Sequence, residues 1–292
     1  MHSTPPSIFD LPQLEAALAG TFFAGKLHFA PVTDSTNTDA LEAARAGAPH
    51  GSVYFADEQL AGRGRGDHAW HSAAGQGLYV SVLLRPAIPA VRLPLLPLAA
   101  GLAAADAIRA TTRLNTGRAA GRENAGREID LRWPNDLLIS YSSKGARSSE
   151  DSRKVGGILV EGKTEARGVA YAVVGIGINV HQRSFAPDLA TPATSLDLES
   201  SEPVSRQSLL VALLKSLEHE ALGLVDPTAA QTIPRRVQAA STWVCGRSVQ
   251  VHGPQACTGV TAGLDENGFL LVETASGRIT VQTGGLRAAA IS

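Results

Sequence analysis

Two apolar stretches interrupted by glycine constrain the fold more than any other feature of this chain. Lys154-Val-Gly-Gly-Ile-Leu-Val-Glu161 and Gly175-Ile-Gly-Ile-Asn179 have the β-branched composition of buried strands, yet both carry glycines. A glycine inside a strand weakens it, and marks a place where a ligand or another backbone comes close. The first segment belongs to a strand over 155–161 and the second to a strand over 169–180. The short polar turn between them makes them antiparallel neighbours. Together with Arg132-Trp-Pro-Asn-Asp136, they point to a sheet carrying a pocket lined by main chain.

Other elements follow from pattern. Strands are predicted over 26–32, 51–55, 78–84, 129–133 and 137–139, the last two separated by Pro134-Asn135. Helices are predicted within 1–25, over 38–46 with an N-cap among Asp34, Ser35, Thr36 and Asn37, over 95–110, and over 205–224. The last carries Leu209, Leu210, Leu213, Leu214, Leu217 and Leu222 near the 3.6-residue period. Residues 116–127 read as a loop. Residues 141–153, YSSKGARSSEDSR, hold almost nothing apolar and read as a mobile insertion. From Thr242 the composition shifts to short strands over 248–251, 259–264, 269–273 and 278–282, with Asn267-Gly268 and Ser276-Gly277 at hairpin turns. The expectation is two domains, 1–240 and 241–292, the second a small antiparallel barrel.

Composition excludes several classes. Hydrophobic residues make up 44% and charged residues 18%, which suits a globular core. The net charge of −1 gives no global field that would draw the protein to nucleic acid or a membrane, so any anion site must be local. Cys245 and Cys257 lack histidines at zinc-ligand spacing. The N-terminal residues show neither the basic region nor the apolar segment of a leader peptide. The most apolar run, 93–105, is too short to span a bilayer. These features predict a soluble cytoplasmic protein with reduced cysteines.

The segment Ala61-Gly-Arg-Gly-Arg-Gly-Asp-His-Ala-Trp-His-Ser72 alternates mobile glycine with fixed positive charge. A solvated loop, an RNA-binding segment and a phosphate-binding loop all fit it in isolation. It is not a P-loop, because GxxxxGK[ST] is absent. No Ser, Cys or His sits in a hydrolase motif. The candidate pocket is rich in cations and backbone donors instead. That set suits attack of a carboxylate on a phosphate, where mutual repulsion of the two reactants is the main barrier.

Five segments, in order, resemble the biotin protein ligases, also called biotin–[acetyl-CoA-carboxylase] ligases. They are Asp34-Ser-Thr-Asn37, Gln59 with Ala61 to Arg65 and Trp70, Trp133-Pro-Asn-Asp136, Lys154 to Glu161, and Gly175 to Asn179. The resemblance covers about residues 26–288. It implies an α+β fold, a mainly antiparallel mixed sheet with helices akin to class II aminoacyl-tRNA synthetases, followed by an SH3-like barrel. It implies that biotin and ATP, with Mg2+, give biotinyl-5′-AMP, from which the acyl group passes to a lysine of the biotin carboxyl carrier protein of acetyl-CoA carboxylase.

Residue roles carry over in the same way. Ser35, Thr36, Gln59, Gly62, Arg63, Arg65, Lys154, Gly157 and Leu159 would bind biotin. Arg63, Arg65, Trp70, Arg132, Asn135, Asn179 and Arg287 would bind ATP or the adenylate. Arg65, Lys154 and Asp136 would be catalytic, and no residue is assigned to the metal. Two departures stand out. Gly66-Asp67-His68 replaces further basic residues common in the family, and Arg132 replaces a lysine. The short segment before Asp34 predicts a form without a DNA-binding domain, and family members often form homodimers. A lipoate ligase or octanoyl transferase, sharing the architecture, and a non-catalytic RNA-binding module are the alternatives.

Overall fold

The computed structural model describes residues 9–66, 68–114, 126–143 and 146–289, with side chains described outside 142–151. Asp67 and most of the predicted 116–127 loop lie outside the described residues. The elements are α1 (Leu11–Leu18), β1 (Leu27–Thr33), α2 (Thr36–Arg45), β2 (Ser52–Gln59), β3 (Gly77–Leu84), α3 (Leu95–Thr111), β4 (Gly126–Arg132), β5 (Asp136–Ser143), β6 (Ala146–Glu165) and β7 (Gly168–Asn179). They continue with α4 (Leu196–Glu199), α5 (Arg206–Val225), α6 (Pro227–Ala230), α7 (Ile233–Ala240), β8 (Cys245–His252), β9 (Cys257–Leu264), β10 (Leu270–Thr274), β11 (Gly277–Val281) and β12 (Gly285–Ala288). Among the described residues, no helix is long and apolar enough to cross a membrane.

Seven strands form one mixed sheet in the order β1-β2-β3-β7-β6-β5-β4. Only β1 and β2 run parallel; the other pairs are antiparallel. Strand alternation then decides which face does what. Leu78, Val80, Val82 and Leu84 of β3 and Ala172, Val174, Ile176 and Ile178 of β7 enter the main core. That core includes Leu96, Ala99, Ala103 and Ala107 of α3, and Leu210, Leu213 and Leu217 of α5. The intervening residues face the other way. Leu83 and Val173 pack on Ala40 and Ala44 of α2, while Tyr79, Ser81, Gly175, Gly177 and Asn179 line a cavity. Glycine on the two central strands therefore makes room on one face only.

Five strands form a second, antiparallel sheet in the order β11-β10-β9-β8-β12. The expected barrel is an open sheet among the described residues, since β11 and β12 are its two edges. This sheet is tied to the larger one. Trp133 Nε1 donates to Gly268 O at 3.0 Å, and the Asp130 carboxylate accepts from Thr242 N at 2.9 Å and Thr242 Oγ1 at 2.6 Å. One continuous apolar core runs through both parts, from Phe9 to Leu286.

The reading of 141–153 as an insertion without structure is corrected. Its backbone prolongs the β5–β6 hairpin, with Tyr141 opposite Ser148 and Ser142 opposite Arg147. An antiparallel ladder satisfies backbone groups without apolar side chains, so a polar segment can extend two well-buried strands.

Candidate active site

The cavity is about 1190 Å³ and opens between the glycine-bearing face of the large sheet and the edge of the small one. Every residue singled out from sequence lines it except Gly62. Gly62 sits at the base of a hairpin: its carbonyl accepts Trp70 N–H at 2.8 Å, and any side chain there would overlap the Trp70 carbonyl.

The arginine loop is folded. Bridges between Gln59 and Ser72 and between Arg63 and Ala69 make it a narrow hairpin. Each arginine anchors it to a different part of the chain. Arg63 donates a two-pronged fork to Glu161, at 3.1 Å and 2.8 Å. Arg65 donates to Gly284 O and to Thr283 Oγ1, both at 2.7 Å, and so joins the loop to the small sheet. Burial lowers the Arg65 pKa and the nearby Asp136 charge opposes this, though a guanidinium stays protonated either way.

Beyond the loop, β4 and β5 make a hairpin whose turn is Trp133-Pro134-Asn135. Arg132 and Asp136 are directly opposed across it. Asp136 Oδ2 accepts from Arg132 Nε at 3.0 Å and Nη2 at 2.6 Å, and Oδ1 accepts from Lys154 Nζ at 2.6 Å. Burial alone would raise the Asp136 carboxyl, but Lys154 and Arg132 outweigh it and hold the group below the usual carboxylate range. Lys154 Nζ also lies 5.5 Å from the centre of the Trp70 ring. Trp70 in turn rests on Gly177, where a Cβ would come within 2.6 Å of Nε1. Gly177 pairs with Gly157 across the strands, and both line the cavity.

At the opposite end, Ser35 is the N-cap position of α2, yet its hydroxyl makes no capping bond. Next to it, Gln59 Oε1 accepts from Thr36 N at 2.9 Å. Two further residues are spent internally. Asn135 Nδ2 donates to Ile158 O at 2.8 Å, clasping the hairpin to β6, and Asn179 Nδ2 donates to Thr194 O at 3.0 Å. Arg287 reaches the cavity from β12 and is exposed. Sequence reasoning gave no role to Asn37, Ser72, Ser81 or Glu161. Asn37, Ser72 and Glu161 end segments singled out from sequence, but no site role was read for them, and only the folded sheet brings them together with Ser81.

A cavity lined by Arg63, Arg65, Arg132, Lys154 and Arg287, with a glycine floor and a separate small polar end, suits a protein that handles an acid together with a phosphate. The comparisons agree. The profile of the biotin/lipoate A/B protein ligase family matches residues 29–179. The bifunctional ligase/repressor BirA of Bacillus spizizenii is 33% identical, over 86% of this chain and 70% of that protein. The biotin–[acetyl-CoA-carboxylase] ligase of Mycobacterium tuberculosis is 31% identical, over 86% of this chain and 85% of its own. A solved structure of the biotin protein ligase from Aquifex aeolicus, in complex with biotin and ATP, superposes with a TM-score of 0.71 at 27% identity, covering 91% of this chain and 100% of that one. The chain belongs to the biotin/lipoate A/B protein ligase family.

Proposed function

We infer that the protein is an ATP-dependent biotin protein ligase that makes biotinyl-5′-AMP and passes biotin to a lysine of a biotin carboxyl carrier protein. The observation that carries this is the convergence of Arg63, Arg65 and Lys154 on one cavity beside the polar end formed by Ser35, Thr36 and Gln59. In the first step a biotin carboxylate oxygen bonds to the α-phosphorus of ATP, and the bond to the bridging oxygen breaks to release pyrophosphate. Arg65 and Lys154 offset the repulsion between the two acids and the charge that grows on the phosphoryl oxygens. In the second step a neutral lysine amine of the carrier attacks the acyl carbon, AMP leaves, and the amine loses a proton to solvent.

Ser35, Thr36, Gln59 and the main chain at Gly157 and Leu159 would hold the biotin rings, with Arg63 over the entrance. Trp70, Arg132, Asn179 and Arg287 would surround the nucleotide. Asn135 acts on this site by holding the Asp136 turn against β6. Residues 241–292 form the second, SH3-like domain of this reading, with 1–240 the catalytic one.

Magnesium does not fit a cage of protein ligands here. Asp136 is the one acid among the described lining residues, and Lys154 and Arg132 engage both its oxygens. The ion belongs with the triphosphate, since Mg2+ keeps water and phosphate ligands.

The test is mass spectrometry of the protein after incubation with biotin, ATP and magnesium, followed by addition of an authentic carrier domain. Bound biotinyl-AMP, pyrophosphate release and one labelled carrier lysine are expected. Absence of all three overturns the reading, and preferential activation of lipoate reassigns the substrate.

A further inference from the structure

A run of polar side chains joins Glu161, near the end of β6, to the Thr36–Gln59 end of the cavity, and its hydrogens can be traced from the Glu161 end. The Glu161 carboxylate accepts Asn37 Nδ2 at 2.7 Å beside the Arg63 fork. A carboxylate can only accept, so Asn37 must turn its NH2 to Glu161 and its oxygen away. That oxygen takes the Ser81 hydroxyl at 2.7 Å. An amide oxygen cannot donate, so the single Ser81 hydrogen is spent there. Ser81 Oγ also lies 2.8 Å from Thr36 Oγ1, with no hydrogen left to give. The Thr36 hydrogen therefore goes to Ser81 or to Gln59 Oε1 at 3.1 Å, and in both cases stays inside the protein. Thr36 Oγ1 is left with lone pairs alone.

Gln59 is oriented by the same logic. Its oxygen accepts Thr36 N–H, and one Nε2 hydrogen goes to Ser72 Oγ at 2.7 Å. The other is left for a ligand oxygen. The pocket end thus pairs an acceptor with a donor. Gly175 is part of the device, because a Cβ there would overlap the Asn37 amide oxygen.

We propose that Glu161, acting through Asn37 and Ser81, is a remote specificity-determining residue. It fixes Thr36 as a hydrogen-bond acceptor, and so selects an acid whose head group presents an N–H over one of similar size with a disulfide head. Glu161 is a positioning residue and lies outside the cavity lining. The proposal rests on the biotin reading of this pocket. A buried polar partner left unmatched discriminates far more strongly than a change of apolar volume.

Glu161 also holds Arg63, so its loss alone could act through the loop. Ser81 separates the two routes, because it bonds to neither Arg63 nor Glu161. The experiment is calorimetric binding of biotin and of lipoate to wild type, Glu161→Gln, Ser81→Ala, the double variant and Asn37→Asp, with melting curves for each. Glu161→Gln and Ser81→Ala should each weaken biotin by about tenfold while lipoate stays within about twofold, the scale of one buried hydrogen bond. The double variant should lose no more than the weaker single, because both cut one chain. Asn37→Asp still presents an acceptor to Ser81, so it should retain the preference for biotin over lipoate, and loss of that preference overturns the proposal; the melting curves show whether Ser81→Ala folds. Wild-type binding with Ser81→Ala unaffected, with additive losses, or with equal losses for biotin and lipoate overturns this proposal alone. Failure of wild type to bind biotin overturns the biotin reading with it.

Discussion

Asp136→Asn separates the structural work of this carboxylate from its place in the cavity. The side chain keeps its size and can still accept hydrogen bonds, but its charge is gone. Of the three charge-assisted contacts of 2.6–3.0 Å to Arg132 and Lys154, those to one of the two oxygens are lost, because the amide NH2 that replaces it cannot accept, and the rest face a neutral oxygen. Removing one partner from a fully buried ion pair costs about 3–5 kcal/mol, because the remaining charge is left unopposed. The Arg132 side chain is 9% exposed but that of Lys154 is 29% exposed, so water screens part of the loss. An expected cost of about 2–3 kcal/mol results at neutral pH, or a melting temperature lower by roughly 4–12 °C for a chain of this size. The pH dependence follows from the direction of the shift. The folded Asp136 carboxyl titrates below its unfolded value, so its contribution is complete above the unfolded pKa of about 4 and disappears as pH falls through the folded one. Thermal melts of both proteins from neutral pH downward should show a gap that is constant above about pH 5 and closes in acid. Equal melting temperatures at pH 7, or a gap that persists unchanged in acid, would refute the account of a carboxylate held by two cations.

Arg65→Ala removes two hydrogen bonds to the small sheet, at a cost of about 1–2 kcal/mol in stability. It should slow biotin-dependent pyrophosphate release by about 100-fold or more, the scale of one lost oxyanion donor. Gly177→Ala places a methyl against the Trp70 ring, which must move. A cost of about 1–3 kcal/mol and red-shifted tryptophan emission are expected, since Trp133 and Trp243 stay buried in the core. Residues 61–72 should gain hydrogen-exchange protection when biotin or the adenylate binds, as a loop that shields a hydrolysable anhydride must. Equal exchange with and without ligand would remove the covering role.

What could be read from the sequence was local. The helix over 205–224 repeats leucine at helical spacing, and it folds as α5 with Ser205 as the cap. The glycine runs of 154–161 and 175–179 fold opposite each other, as their composition required. The features that escaped depend on partners distant in the chain. Gly285–Ala288 is too short and too irregular to announce a strand, and exists because β8 supplies the ladder. The parallel pairing of β1 with β2 is invisible in either segment alone. In the site, the cations were legible only once the ordered set of segments was matched to a family, since arginine between glycines alone fits several uses. The polar relay from Glu161 to Thr36 was not. Serine, asparagine and glutamate on separate strands and a helix form no motif, and their meaning arises only from which hydrogens remain once the sheet is assembled.

Three of the cations lining the cavity, Arg63, Arg65 and Lys154, differ in what already holds them, and that difference ranks these three as anion sites. Lys154 is paired with Asp136 and Arg63 with Glu161, each with a carboxylate at 2.8 Å or less. An arriving phosphate or carboxylate must compete there with a covalently tethered anion. Arg65 is held by a backbone carbonyl and a hydroxyl, both neutral, and among the described residues no carboxylate lies within ion-pair distance of it. A charged oxygen attracts the guanidinium by Coulomb force as well as by hydrogen bonding, which neither neutral acceptor does. Of these three, Arg65 is therefore the cation on which an incoming anion gains most. Because its present partners lie in the connection between β11 and β12, an anion bound by Arg65 competes with the contact between the loop and the small sheet. Binding at the cavity and docking of the small sheet are thereby made to share one side chain.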